Sequence, residues 1–314
     1  ASSLKKPRQA KVKSFPAPTK GWIANENLAV STALGASILD NWFPTATTVR
    51  FRRGTTKWGV VDTTPNVTAC FTYKDGVKEE LFAATDSAIY DATSPDYTEA
   101  ITIFDGTNTI VDGFGNFLGA ESIGAGSVVV SGLTGGAWIS CQFQTPGGIY
   151  LRLVNGVDTP LVYDGTSFGT SPAITGSGLD PADLSFVWSF RNRMWFIEKN
   201  TLNAWYLPVD AIGGAAVKFP LGAEFALGGK LIFGSSWSLD DGSGLSTSIA
   251  FVTSEGEVAV YQGSNPGDAN DFVRKGIYRI GRPLGPKAFL RAGGDLVIAT
   301  DIGLVPLSQA VQRD

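Results

Sequence analysis

The chain has 314 residues, 43% of them hydrophobic, with 38 glycines, 16 prolines, 19 phenylalanines, 8 tryptophans and no histidine, and it carries 25 basic against 29 acidic residues. That apolar content supports a sizeable core, and single β domains of this length are ordinary. Without histidine, imidazole bases, Ser-His-Asp nucleophiles and histidine-ligated zinc are excluded.

The first stretch, ASSLKKPRQAKVKSFPAPTKGW, differs from everything after it. Lys5, Lys6, Arg8, Lys11, Lys13 and Lys20 all precede the first acid, Glu26. Removing those six from the 25 basic residues leaves 19 against 29 acids in the sequence after Lys20, a net of −10. A cationic arm over residues 1–30 is thus joined to an anionic body over 31–314. Three readings of the arm stand: a solvated tail, docking onto an acidic protein neighbour, and phosphate contacts with nucleic acid. Phe15 and Trp22, beside prolines, favour docking over pure electrostatics, because they supply apolar anchors. No apolar run approaches the length of a bilayer span, and the first residues lack the apolar region of a signal peptide. The expectation is a soluble chain made in a cytoplasm.

One helix is expected, over STALGASILDNWF (31–43), with Ser31 or Thr32 as cap and Leu34, Ile38 and Trp42 at i, i+4, i+8. The rest reads as strands punctuated by turn pairs such as Asp75-Gly76, Asp105-Gly106, Asp112-Gly113, Asn155-Gly156 and Asp164-Gly165. LFAATDSAIYDAT (81–93) predicts a first hairpin. The stretch from Phe104 to Ser140, rich in Gly, Ser and Thr with a strand at Val128–Val130, is either a weakly patterned blade or an extended loop. RLVNGVDTPLVYDG (152–165) predicts a second hairpin and RMWFIEKNTLNAWYLP (193–208) a third. AFVTSEGEVAVYQGSNP (250–266) predicts a fourth, its buried run reversed at Ser254-Glu255-Gly256 and returned through Val258 and Val260. Period two there means that one face packs while the other meets water or a neighbouring sheet. DLVIATDIGLVPLS (295–308) predicts a fifth.

The later turns are spaced by 55 residues, Asn200 to Glu255, and by 46, Glu255 to Asp301. The earlier ones, at Asp86 and Asn155, leave room for a further unit. A repeat of roughly 40 to 50 residues, one small antiparallel meander each, predicts an all-β protein of β-propeller type.

Chemistry-bearing motifs are few. Cys70 and Cys141 cannot build a four-thiolate site; they allow one disulfide, with buried free thiols in a reducing compartment the favoured reading. GFGNFLG (113–119) is one residue too long for a dinucleotide cradle and does not join a strand to a helix. Asp240, Asp241, Asp268 and Asp271 sit in Gly-, Ser- and Asn-containing loops without the alternating pattern of a calcium loop, and read as turn residues. Trp188, Trp195, Trp205, Tyr206, Trp237 and Tyr261 would suit a sugar platform, but their place in alternating runs favours packing between sheets. Neither a catalytic residue nor a cofactor is expected.

Six segments together carry a resemblance. KSFPAPTKGWIANENLA, SILDNWFP followed by VRFRRG, WYLP, SEGEVAVYQGSNP and GGDLVIATDIGLVPLS resemble the β-propeller-containing nozzle or hub proteins in the tails of short-tailed bacteriophages. The likeness spans nearly the whole chain, and its motifs are structural. It implies a non-enzymatic virion protein, assembled in the host cytoplasm as a ring, most simply a hexamer. Such a ring sits below the portal and adaptor, meets tail fibre proteins, and forms the channel through which double-stranded DNA leaves. The charge reading agrees independently: an anionic body repels DNA while a cationic arm can reach an acidic partner ring, so the arm, with Lys5, Lys6, Arg8, Lys11, Lys13, Phe15, Lys20 and Trp22, is assigned to inter-subunit docking. The chain ends at LSQAVQRD, just after a strand, where such a protein is expected to continue into a tail segment, so a stopper ring or fibre attachment stays open. Two alternatives of other classes are a carbohydrate-binding propeller and a propeller glycoside hydrolase with paired cleft carboxylates.

Overall fold

The computed structural model describes residues 17–22, 34–36, 42–51, 61, 66–94, 127–240, 245–292 and 294–311. The backbone divides into two compact units, Ala1–Lys57 and Trp58–Asp314. The arm boundary expected at residue 30 falls within the first unit, outside the described residues.

In the first unit, β1 (Gly21–Trp22) pairs in parallel with β2 (Gly35–Ala36), and β3 (Trp42–Pro44) pairs antiparallel with β4 (Val49–Phe51). The helix expected over residues 31–43 is not formed in its described residues: Gly35, Ala36, Trp42 and Phe43 are all in strands. Three local terms work against it. Gly35 in a helix interior costs about 1 kcal/mol relative to alanine. Pro44 ends any helix running into it. Trp42 and Phe51 face one another across the hairpin with ring centroids 3.6 Å apart, a cross-strand aromatic pair that a helix would forfeit.

The second unit is a run of antiparallel meanders. β5 (Ala69–Lys74), β6 (Glu79–Ala84), β7 (Ala88–Asp91) and β8 (Ser127–Ser131) make the first four-stranded sheet. β9 (Ile139–Thr145), β10 (Gly148–Val154), β11 (Leu161–Tyr163) and β12 (Phe168–Gly169) make the second, after which β13 (Ile174–Thr175) stands apart. The third holds β14 (Leu184–Phe190), β15 (Arg193–Glu198) and β16 (Asn203–Tyr206); β17 (Gly214–Ala215) then turns aside to pair in parallel with β13 before β18 (Val217–Pro220) completes the sheet. The fourth is β19 (Leu231–Asp240), β20 (Leu245–Thr253), β21 (Glu257–Gln262) and β22 (Val273–Arg279). A three-stranded fifth, β23 (Phe289–Ala292), β24 (Asp295–Thr300) and β25 (Gly303–Pro306), leads into the short helix α1 (Leu307–Val311). Apart from α1 and a three-residue 3-10 turn at Pro181–Asp183, the described residues are all-β.

All five hairpins read from the sequence form where the turn chemistry put them, as β6–β7, β10–β11, β15–β16, β20–β21 and β24–β25. Gly256 shows why a glycine was required. Its φ is +82°, and a Cβ there would meet the carbonyl oxygen of Ile280 at 2.5 Å, so a side chain is excluded by both backbone strain and space. Val128–Val130 lies in β8, so the Gly-rich stretch supplies the last strand of the first sheet and the start of β9. Between Asp86 and Asn155 the described residues belong to these first two sheets; residues 95–126 lie outside the described set.

The sheets are stacked in sequence. In the second, Leu151, Leu153, Leu161 and Tyr163 pack with Phe71, Tyr73 and Phe82 of the first, while Val154 and Val162 join the larger core of the later sheets. One sheet thus feeds two cores from alternate residues, as the pleat dictates. Neighbouring sheets meet chiefly at their leading strands: β5 approaches β9, β9 approaches β14 and β14 approaches β19, while β19 approaches β24, the middle strand of the fifth sheet. Burial on both faces erases the water-facing half of the alternation. In β21, Glu257, Val258, Ala259, Val260 and Tyr261 are all buried.

Two buried charges lock loops onto this stack. Arg152, 0% exposed, donates through Nε to the carbonyl of Ile212 at 3.1 Å and through Nη2 to that of Pro172 at 2.8 Å, tying β10 to the segments leading into β13 and β17. Burial pulls its pKa down to about 10, which still leaves it cationic at neutral pH. The carboxylate of Glu257, 2% exposed, accepts from the backbone N–H of Leu227 at 2.8 Å and of Ala226 at 3.3 Å. Glu257→Gln keeps one acceptor and should cost about 1 kcal/mol. Glu257→Ala strands both donors and should cost about 2 kcal/mol, read as a lower urea midpoint at unchanged slope.

Candidate functional site

Where the leading strands converge they leave a cavity of about 540 Å³. Each of the five sheets contributes to its wall. Cys70 comes from β5, Cys141 and Gln142 from β9, Phe186 and Trp188 from β14, Gly234 from β19, and Phe289 and Arg291 from β23, with Trp138 and Lys287 on the approaches to β9 and β23.

Gly234 is what lets the wall close. A Cβ on it would lie 2.3 Å from Cζ2 of Trp188, so the indole of β14 occupies the space a side chain of β19 would need. Trp188 is held in turn by Phe186, Trp195 and Phe251, with ring centroids 5.9, 6.1 and 5.8 Å away. On the other side, Gln142 bridges the first two sheets: its Oε1 accepts from Lys74 N at 2.9 Å and its Nε2 donates to Lys74 O at 2.8 Å.

The wall is electropositive. Arg291 and Lys287 line the cavity, and no carboxylate does. Among the described residues neither cation is in an ion pair; Arg291 donates through Nε to Ser235 Oγ at 3.3 Å. Both cysteines are free thiols at the cavity. The expectation of buried thiols fails for Cys70, which is exposed because β5 turns alternate residues away from the core; Cys141 is half-buried. Burial pushes the Cys141 thiol up, against the opposing pull of Ser189 and Arg291, so it stays neutral and does not balance the arginine.

Of the residues singled out by sequence, Cys70, Cys141 and Trp188 line this cavity and the others fall elsewhere. Of the arm, Lys5, Lys6, Arg8, Lys11, Lys13 and Phe15 lie outside the described residues. Lys20 is exposed, its backbone N–H bonded to Leu34 O at 2.9 Å, and Trp22 ends β1. The acidic loops behave as turns. Asp268 accepts from Asn270 N at 2.9 Å, and Asp271 accepts from Ser264 N, Ser264 Oγ and Asn265 N at 2.7, 2.9 and 2.6 Å. Those bonds, the backbone N–H of Ser264 first, hold the Asp271 carboxyl below the usual range. Asp240 ends β19 and Asp241 lies outside the described residues. The six aromatics weighed as a sugar platform are buried: Trp195 is 0% exposed, and Trp188, Trp205, Tyr206, Trp237 and Tyr261 are all below 9%. They pack between sheets.

Sequence reading missed the cavity as a site because no linear pattern joins its residues. Cys70 and Arg291 are 221 positions apart, and each cavity residue sits in a strand whose own period speaks only of its sheet.

No protein-family model matches the chain, and no curated protein does. Solved structures similar to it include two of BBS1N in complex with ARL6DN. With the mercury-soaked crystal the TM-score is 0.46 at 10% identity, over 77% of this chain and 64% of that one. With the lead-soaked crystal it is 0.45 at 11% identity, over 83% and 69%. The chain thus spans just under two thirds of the first of these neighbours. Among the described residues, no helix is long and apolar enough to cross a membrane.

Proposed function

We propose that Trp58–Asp314 is a β-propeller and that the chain is a structural subunit of the tail nozzle or hub ring of a short-tailed phage. The observation that carries the functional reading is the resemblance of six segments, from KSFPAPTKGWIANENLA to GGDLVIATDIGLVPLS, spread over nearly the whole sequence. The architecture supports it: consecutive meander sheets, leading strands side by side, and a second sheet buried on both faces are what radial blades require. Charge supports it too. A conduit for DNA gains from repelling phosphate, since each basic contact adds affinity and hence friction, and the sequence after Lys20 has 19 basic against 29 acidic residues. The cationic arm is then the docking element, with Phe15 and Trp22 as anchors on an acidic adaptor ring and the subunits closing as a hexamer.

Electron microscopy of virions tests the reading, with this chain located in the density. A ring of its copies below the adaptor is expected, and its absence from the tail would overturn the assignment. Deleting residues 1–22 is expected to abolish co-sedimentation with the adaptor ring while leaving the thermal transition of the body in place. In the intact chain, the same association should weaken steeply toward about 1 M salt, where the screening length is only about 3 Å. Undiminished assembly of the truncated chain would remove the docking role from the arm.

A further inference from the structure

The cavity where the sheets converge presents positive charge with no counter-charge in its wall. Arg291 and Lys287 bring two positive charges to it, no lining residue is acidic, and neither cation has an ion-pair partner among the described residues. The indoles of Trp138 and Trp188 also border it. They are 1% and 4% exposed, and the Nε1–H of each is buried without an acceptor. Buried indole N–H groups ordinarily find a partner. Neither N–H is open to the cavity, so the unbalanced charge that faces it is that of the two cations. The Cys141 thiol, kept neutral by burial, does not redress the balance.

The wall is also apolar between its charges. Phe186, Trp188 and Phe289 supply aromatic surface, and the volume of about 540 Å³ is that of a small-molecule site. Two cations answer a dianion better than a monoanion, and an arginine fork beside a lysine suits phosphate oxygens. We propose that this cavity binds an organic phosphate monoester, its phosphate held by Arg291 and Lys287 and its apolar body against the aromatic wall. The site is independent of any role in a tail ring.

Isothermal titration of the full chain at fixed ionic strength tests this with phenyl phosphate, benzoate, phenol and inorganic phosphate. Saturable one-to-one binding of phenyl phosphate is expected, tighter than benzoate or inorganic phosphate, with none for phenol. Arg291→Gln should weaken phenyl phosphate about tenfold, as loss of a charge-assisted hydrogen bond does. Lys287→Gln should weaken it by less, and the double variant should show no saturation. Both side chains are exposed, so circular dichroism should be unchanged. Lys275→Gln, an exposed cation on β22 away from the cavity, should bind as the parent does. No saturation by about 10 mM phenyl phosphate, a millimolar-or-weaker interaction, would overturn the proposal, as would unchanged affinity in Arg291→Gln. Equal affinity for inorganic phosphate would overturn the assignment of an organic body.

Discussion

Trp195→Ala should destabilise the protein by about 3–5 kcal/mol, the range for emptying a large aromatic site in a packed core. Trp195 is 0% exposed and lies at the centre of a ring cluster, with centroids of Tyr206 at 5.1 Å, Phe251 at 5.5 Å, Phe219 at 5.6 Å and Phe272 at 5.8 Å. These neighbours come from the third and fourth sheets and from the loop before β22, so they cannot collapse into the vacated space together. Against a total stability on the order of 5–15 kcal/mol, a loss of that size moves the urea midpoint by about a fifth or more. Trp195→Phe is the discriminating companion. It removes ring volume, but it also removes an indole N–H that is buried without a partner. The second change relieves a desolvation penalty of about 1–3 kcal/mol, so the net cost should stay below about 1.5 kcal/mol. A phenylalanine as damaging as alanine would mean that the N–H has a partner after all.

The same packing explains what the sequence could say about the fold. The middle hairpin of every sheet was legible, because two apolar runs flank a turn whose residues are fixed by backbone geometry: Gly256 at φ +82°, Asn200 at φ +58°. Outer strands were not, β8 and β25 excepted. β22 reads VRKGIYR and is exposed over its first three residues, since it has water on its free edge and needs no apolar period. Leading strands hid for the opposite reason. β19 begins LIFGSSW, where Gly234, Ser235 and Ser236 keep side chains small as five sheets crowd together, and small residues look like loop. The helix expected over residues 31–43 came from a three-position match, Leu34, Ile38 and Trp42, that counted spacing and ignored Gly35 and Pro44. The cavity was invisible, because a site shared among strands leaves no local trace. Only the fold brings Cys141, Trp188 and Arg291 to one wall.

Gly234→Ala should cost about 3 kcal/mol, which reverses the usual sign for a strand glycine. Replacing such a glycine with alanine ordinarily gains about 0.5–1 kcal/mol, by lowering the entropy of the unfolded chain. Here the added methyl would lie 2.3, 2.5 and 2.6 Å from Cζ2, Cη2 and Cε2 of Trp188, against a comfortable carbon–carbon distance of about 3.5–4.0 Å. The indole cannot swing aside, because Phe186, Trp195 and Phe251 pack around it. Overpacking of a rigid site therefore outweighs the entropic gain. The cause can be isolated with a second substitution. Trp188→Leu alone should cost about 2–3 kcal/mol in lost burial, but it empties the space that the methyl needs. In that background Gly234→Ala should be close to neutral, giving a coupling of about 2–3 kcal/mol in a double-mutant cycle. Additive costs would mean that Gly234 is needed for its backbone and not for the approach of Trp188. A large coupling would identify one contact, between the leading strands of the third and fourth sheets, as what fixes the wall of the cavity and the spacing of the sheets around it.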